Sequence, residues 1–200
     1  MPVCLVGTAL VLSGCAGGGH EAGSTSEPEP LLDSQVHEEQ LAGIAAMYGL
    51  IDVPEVQVRR IIEPAEWQTV LAACMAEQGF EKDADGSWPG IPVEQKDTFN
   101  AALYVCHASY PVPTVYSQPW SEPQKRAMYQ YTVSTLIPCL EEEGFRITDV
   151  PTQETFVDTF DTRPWWPYEQ LDISSMSQNE IDELNTRCPQ TPPIELLQDQ

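Results

Sequence analysis

The sequence predicts a small, disulfide-stapled α+β domain, mainly helical, with an internal duplication and a minor sheet. Three observations predict it. Residues 71–80 (LAACMAEQGF) and 136–145 (LIPCLEEEGF) repeat Leu, Cys, Glu, Gly and Phe in register. Four cysteines, Cys74, Cys106, Cys139 and Cys188, fall two to each half of the repeat. Eighteen prolines break the chain into short elements. The globular domain is placed at residues 33–192, with half-repeats at about 64–111 and 121–189 and a C-terminal tail at 193–200.

Residues 35–48 have helical spacing, with Leu41, Ile44 and Tyr48 on one side and Gly49 after them. At 54–61, PEVQVRRI alternates Val56 and Val58 and reads as a short strand. Pro64 suits the first turn of a helix over 64–78. That helix places Trp67, Val70, Leu71 and Cys74 on one face. Gly79 then stands where a left-handed C-cap needs glycine, and Phe80 folds back. A second helix spans about 93–108, with Phe99, Ala102 and Cys106 on one face. In the second half Ser121 caps a helix over about 121–143, with Pro123 in its first turn and Pro138 expected to kink it. Gly144 and Phe145 repeat the C-cap. A last helix, about 177–188, aligns Ile181, Leu184 and Cys188. GFEKDADGSW and GFRITDV read as short strands or hairpin arms.

The N-terminal segment fixes the expected location. Val3–Leu12 is an apolar run of ten residues. That is short of the roughly 20 that span a membrane and fits the h-region of a signal peptide. Ser13, Gly14 and Cys15 follow. A run ending in Leu-Ser-Gly-Cys resembles the bacterial lipobox, which implies diacylglycerol transfer to the Cys15 thiol and cleavage of residues 1–14. No Lys or Arg precedes the run, a departure from the usual pattern that leaves room for a start upstream of Met1. Residues 15–32 are rich in Gly, Ser, Glu and Pro and read as a tether reaching on the order of 20–25 Å. The protein is expected on the outer face of the cell membrane, held there by its lipid.

The net charge is −22, with nine scattered basic residues. No basic patch exists, so nucleic-acid binding is not expected. Anionic headgroups repel such a chain, so the anchor has to be covalent. Cys4 and Cys15 belong to the leader. The other four cysteines, an even number in an exported domain, read as disulfides. Three pairings are open, and the repeat favours Cys74–Cys106 with Cys139–Cys188.

No catalytic, metal or cofactor site is nominated. Cys106 and His107 are adjacent on a helix, so their side chains point about 100° apart and do not make a nucleophile–base pair. His20 and His37 are isolated. Asp83-Ala84-Asp85-Gly86-Ser87 with Glu94 has part of the spacing of a calcium loop, but Trp88 stands where the turn needs glycine; an Asp-Gly hairpin turn fits better. Glu141, Glu142 and Glu143 end a helix whose dipole disfavours them there; they read as a solvated face or a point for a cation or basic partner. The clearest binding candidates are Trp165, Trp166 and Tyr168 in RPWWPYEQL. Rigid loop aromatics can fill a partner's pocket or stack on sugar rings, or they can clamp the loop to the helices. Trp88 and Trp120 occupy other proline-bearing loops.

ALYVCHASYPVPTVY, LIPCLEEEGF, VPTQETFVDTF and PWWPYEQL together resemble a family of lipoproteins from high-GC Gram-positive bacteria, with Cys-Leu-x-x-x-Gly-aromatic and Trp-x-Pro-Tyr motifs. The resemblance covers about residues 50–172. It implies export, lipidation at Cys15 and pairing of the cysteines, and it implies no activity. The expected function is a non-enzymatic surface lipoprotein that binds another envelope component in an accessory or scaffold role. The alternative is an extracellular module for a small solute or cell-wall glycan.

Overall fold

The computed structural model describes residues 31–198. The signal segment, Cys15 and His20 lie outside the described residues, as does nearly all of the tether. The described chain is helical, and the expected minor sheet is not there: no strand occurs among the described residues.

Helix α1 (Ser34–Met47) starts where Asp33 Oδ1 accepts the Val36 N–H at 2.9 Å. Its Leu41, Ile44 and Tyr48 pack with Ala45 against Tyr104 and Ala108 of α3 (Lys96–Ser109). The segment expected as a strand, 54–61, runs extended beside the end of α3. Arg59 N–H donates to Ser109 O at 2.8 Å and Ile62 N–H to Pro111 O at 3.0 Å. Pro111 and Pro113 have no N–H to return, so a ladder cannot propagate. The 79–88 stretch closes on itself, with Asp83 N–H donating to Ser87 O at 2.7 Å. It is a turn without hairpin arms.

A 3-10 turn at Pro64–Glu66 leads into α2 (Trp67–Glu77). Helix α4 (Glu122–Tyr131) begins with a capping box between Ser121 and Gln124. It continues through a π turn, Thr132–Leu136, into α5 (Ile137–Glu142). Pro138 explains the π turn: it lacks the N–H that Ser134 O would accept, and its ring presses on that carbonyl, so the winding loosens just before it. Helix α6 (Gln153–Thr159), capped by Thr152, follows. Helix α7 (Gln178–Arg187) is capped by a box between Ser177 and Glu180. Residues 193–198, placed above in a tail, instead close the fold: α8 (Glu195–Gln198) buries Leu197, with Ile194 beside it, and Leu197 O accepts from Gln124 of α4.

The repeat is visible as geometry. Phe80 N–H reaches back to Met75 O at 2.9 Å and Gly79 N–H to Ala76 O at 3.0 Å. Phe145 and Gly144 do the same to Leu140 O and Glu141 O, both at 3.0 Å. Both ends are Schellman motifs, with Gly79 at φ +87° and Gly144 at φ +94°. The pairing that the repeat favours is the one formed. Cys74–Cys106 joins α2 to α3 and Cys139–Cys188 joins α5 to the end of α7, with Cα–Cα distances of 5.8 and 5.7 Å.

The halves lock together at the start of α7. Asn179 N–H donates to Asp85 O and Asn179 Nδ2 to Ala84 O, each at 3.0 Å, while Lys82 pairs with Asp182 at 2.9 Å. The approach at Gly86 is so close that a Cβ there would lie 2.2 Å from Asn179 Oδ1. The Asp-Gly turn is therefore a clasp between halves, which accounts for its composition without a calcium ion.

Candidate functional site

The predicted aromatic loop divides. Trp166 packs edge-on against Phe156 and Phe160, at ring-centroid distances of 6.5 and 5.7 Å. Trp165 is half-buried against the same core. The Tyr168 hydroxyl donates to Cys188 O at 2.7 Å, and burial pushes its pKa up to about 12. Trp120 stacks on Phe160 at 5.4 Å and donates Nε1–H to Val115 O; Trp88 meets Phe99 at 5.8 Å. All of these rings brace the fold. Trp166 and Tyr168 also line a crevice of about 550 Å³ along α7, shared with Gln68, Gln178, Asn185 and Gln190; Trp165 does not line it. The crevice amides are chained: Gln178 Nε2 donates to Asp182 Oδ1 at 2.7 Å, and Gln190 Nε2 to Asn185 Oδ1 at 3.1 Å.

A second concavity was not legible from motifs. Along one side of α1, His37, Gln40, Leu41, Gly43, Ile44 and Met47 form the wall of an open groove of about 540 Å³. Pro64, Trp67, His107, Tyr110, Pro111 and Val112 form the opposite wall. The groove exists because α1 packs on α3 through Leu41, Ile44 and Ala45, while the proline turn at Pro64 holds α2 off to the side. His107 sits at its base. Its ring lies 4.4 Å from the Trp67 ring by centroids, and its Nε2 shares a 3.2 Å hydrogen bond with the Tyr48 hydroxyl. Burial holds the imidazole pKa down at about 4, so it is neutral at ordinary pH. The His37 pKa is also lowered by burial, against a smaller opposing pull from Glu38. Among the described residues no Lys, Arg, Asp or Glu lines the groove.

The remaining candidates take ordinary roles. Cys106 is in a disulfide and fully buried, and its neighbour His107 points into the groove. Glu143 grips Arg187 through both oxygens, at 2.8 and 2.9 Å, tying α5 to α7 beside the second disulfide. The guanidinium pulls the Glu143 carboxyl pKa down. Among the described residues no three His, Cys, Asp or Glu side chains gather where they could hold a metal, and no helix is long and apolar enough to cross a membrane.

Sequence reading assigned Trp67 to a core face and set His107 aside with the catalytic pair. Position along a helix shows which face a residue takes, but not whether a neighbouring element covers it. The available signal was that the apolar spacing of Leu41 and Ile44 runs on to Met47. No protein-family profile, no curated protein sequence and no solved structure matches this chain.

Proposed function

We propose that this chain is a non-enzymatic lipoprotein of the outer face of the cell membrane, held by acyl chains on Cys15, whose domain docks a protein of the envelope in an accessory or scaffold role. The anchor rests on the Leu12-Ser13-Gly14-Cys15 signature, and the paired cysteines accord with an oxidising compartment. The observation that carries the docking reading is the uncharged, open groove along α1. Its rim residue Met47 is 68% exposed. Exposed apolar surface on so acidic a chain marks a place where something else sits. The aromatic loop then serves as a brace for the docking domain.

A second reading is favoured by one specific observation. The Trp166–Tyr168 crevice sets an aromatic pair among the side-chain amides of Gln68, Gln178, Asn185 and Gln190 and the carboxylates of Glu169 and Asp182, hydrogen-bonding groups suited to a hydroxyl-rich ligand such as wall glycan.

Photo-cross-linking in intact cells separates the readings. A photoreactive residue at Met47 is expected to capture one envelope protein reproducibly, and the same residue at Glu169, in the lining of the crevice, is expected to capture none. Glycan captured at 169 with nothing at 47 would replace the first reading by the second. Silence at both positions would remove both. Mass analysis of the Cys15 peptide tests the anchor separately, since an unmodified thiol there would end the lipoprotein assignment.

A further inference from the structure

We infer that the occupant of the α1 groove is an amphipathic helix of the envelope partner, apolar along one stripe and basic at its flanks. This rests on the docking reading above.

The wall of the groove has the dimensions of a helix contact. From His37 to Met47 its residues fall at helical spacing over about 15 Å, three turns at 1.5 Å per residue. A helix laid alongside would answer with anchors at i, i+3, i+4 and i+7. Gly43 supplies an independent sign. It lies in the middle of α1, where glycine is unfavourable relative to alanine. Nothing among the described residues requires it: a Cβ built there meets no atom of theirs within 4 Å. Gly43 therefore leaves a notch in the wall that no internal packing uses. The apolar surface also runs past the groove, through Met47 to Ile51 (95% exposed) and Val53.

Charge selects among occupants. Residues 31–58 carry Asp33, Glu38, Glu39, Asp52 and Glu55 and no Lys or Arg. The first basic residues, Arg59 and Arg60, are already paired with Glu77 and Glu66. A second copy of this chain, at −22, would bring the same charges to the contact and be repelled. A neutral acyl chain would gain nothing from the carboxylates. A helix with basic flanks meets an uncharged floor and an acidic surround, which gives both register and fast encounter.

The test uses the full-length protein and two synthetic peptides of 18 residues, helical by design. One places Leu at i, i+3, i+4 and i+7 with Lys elsewhere; the other replaces every Lys by Glu. Binding is read by isothermal titration and by the change in tryptophan fluorescence, to which Trp67 in the groove contributes alongside four other tryptophans. The Leu/Lys peptide is expected to bind at least tenfold more tightly than the Leu/Glu peptide. Gly43→Leu, which fills the notch, and Met47→Lys, which adds like charge at the exposed rim, are each expected to weaken it at least tenfold. Gln178→Ala, in the other crevice, is expected to leave it unchanged. Thermal melting checks that the variants fold, and two variants of opposite design keep the test alive should one of them unfold. Equal binding of both peptides, or binding undiminished in a folded groove variant, overturns the inference. Failure here with capture at position 47 in cells retires the helix and keeps the docking reading. Peptide binding without cellular capture retires the docking reading and the partner helix with it, leaving only a groove that takes a basic amphipathic helix in solution.

Discussion

The two halves of this domain share a bracket and differ in what covers it. In each, a helix ends in a Schellman turn at Gly-Phe and its cysteine is bonded to the end of a second helix. Over the first bracket the buried residues are Leu71, Met75 and Ala102, edged by half-buried rings such as Phe80, Phe99 and Trp88, with α1 set beside them and a groove left open. Over the second lies an aromatic stack, in which Phe156 touches Tyr129, Phe160 and Trp166. The disulfides differ in the opposite sense: both sulfurs of the first are buried, whereas Cys139 of the second reaches the surface. The same local motif thus supports the α1 groove in one half and an aromatic wall, with the α7 crevice beside it, in the other.

The largest expected effect tests that wall. Phe156 is 1% exposed and central to the stack. Phe156→Ala is expected to cost about 3–5 kcal/mol in urea unfolding. Phe99→Ala, at the half-buried pair with Phe80 and Trp88, should cost about 2 kcal/mol. Equal losses would mean that the second half is no better sealed than the first.

Phe156 also marks where sequence legibility ended. The Schellman turns, the capped helix starts and the cysteine pairing were legible because each depends on residues close in sequence or on the repeat. Helix α6 was missed, although Thr152 at its N-cap and Glu154 in its first turn were there to read. The strands failed because alternation at Val56 and Val58 says nothing of the partner, and that partner is proline-rich. Trp165, Trp166 and Tyr168 were read as loop aromatics for a partner or as clamps on the helices; Trp166 and Tyr168 line the crevice along α7 and Trp165 does not. The α1 groove was not legible, since it depends on how far Pro64 holds α2 from α1, a distance no local pattern encodes.

The disulfides offer the next contrast. Each bond is worth about 2–4 kcal/mol, and their loops of 32 and 49 residues make them nearly equal in chain-entropy terms. Access should therefore decide the order of loss. Under limiting dithiothreitol at neutral pH, alkylation and peptide mapping should find Cys139–Cys188 open first. Reduction of Cys74–Cys106 first would show that the groove side opens more readily than the wall side.

Acid should act on the first half alone through histidine, because residues 121–189 contain none. His107 titrates at about 4 when folded and near 6.5 when unfolded. Between those values the unfolded chain holds a proton that the folded chain refuses, so stability falls as pH drops from about 6.5 to 4. The loss should reach about 2–3 kcal/mol. Carboxylates lowered by hydrogen bonds, such as Glu66, add a loss that begins near the ordinary glutamate pKa, at the acid end of this window, and continues below it. Comparing the stability curves of the protein and of His107→Gln isolates the histidine. Parallel curves over pH 4–6.5 would place the imidazole in solvent and deny the groove its buried base.

Gly43→Ala gives the smallest effect, and its sign is the informative part. Glycine at a helix interior is normally kept for a close contact or for a positive φ, and among the described residues Gly43 has neither. Alanine there removes backbone freedom from the unfolded state and meets no neighbour in the folded one. Stability should rise by about 0.5–1 kcal/mol, read as a higher urea midpoint with unchanged slope. Gly79 and Gly144, at positive φ in the brackets, should lose stability on the same change. A gain at 43 beside losses at 79 and 144 would show that the bracket glycines serve the fold while the glycine of α1 does not. The chain would then be holding a less stable helix in front of an open groove, as expected of a residue kept for what docks against it.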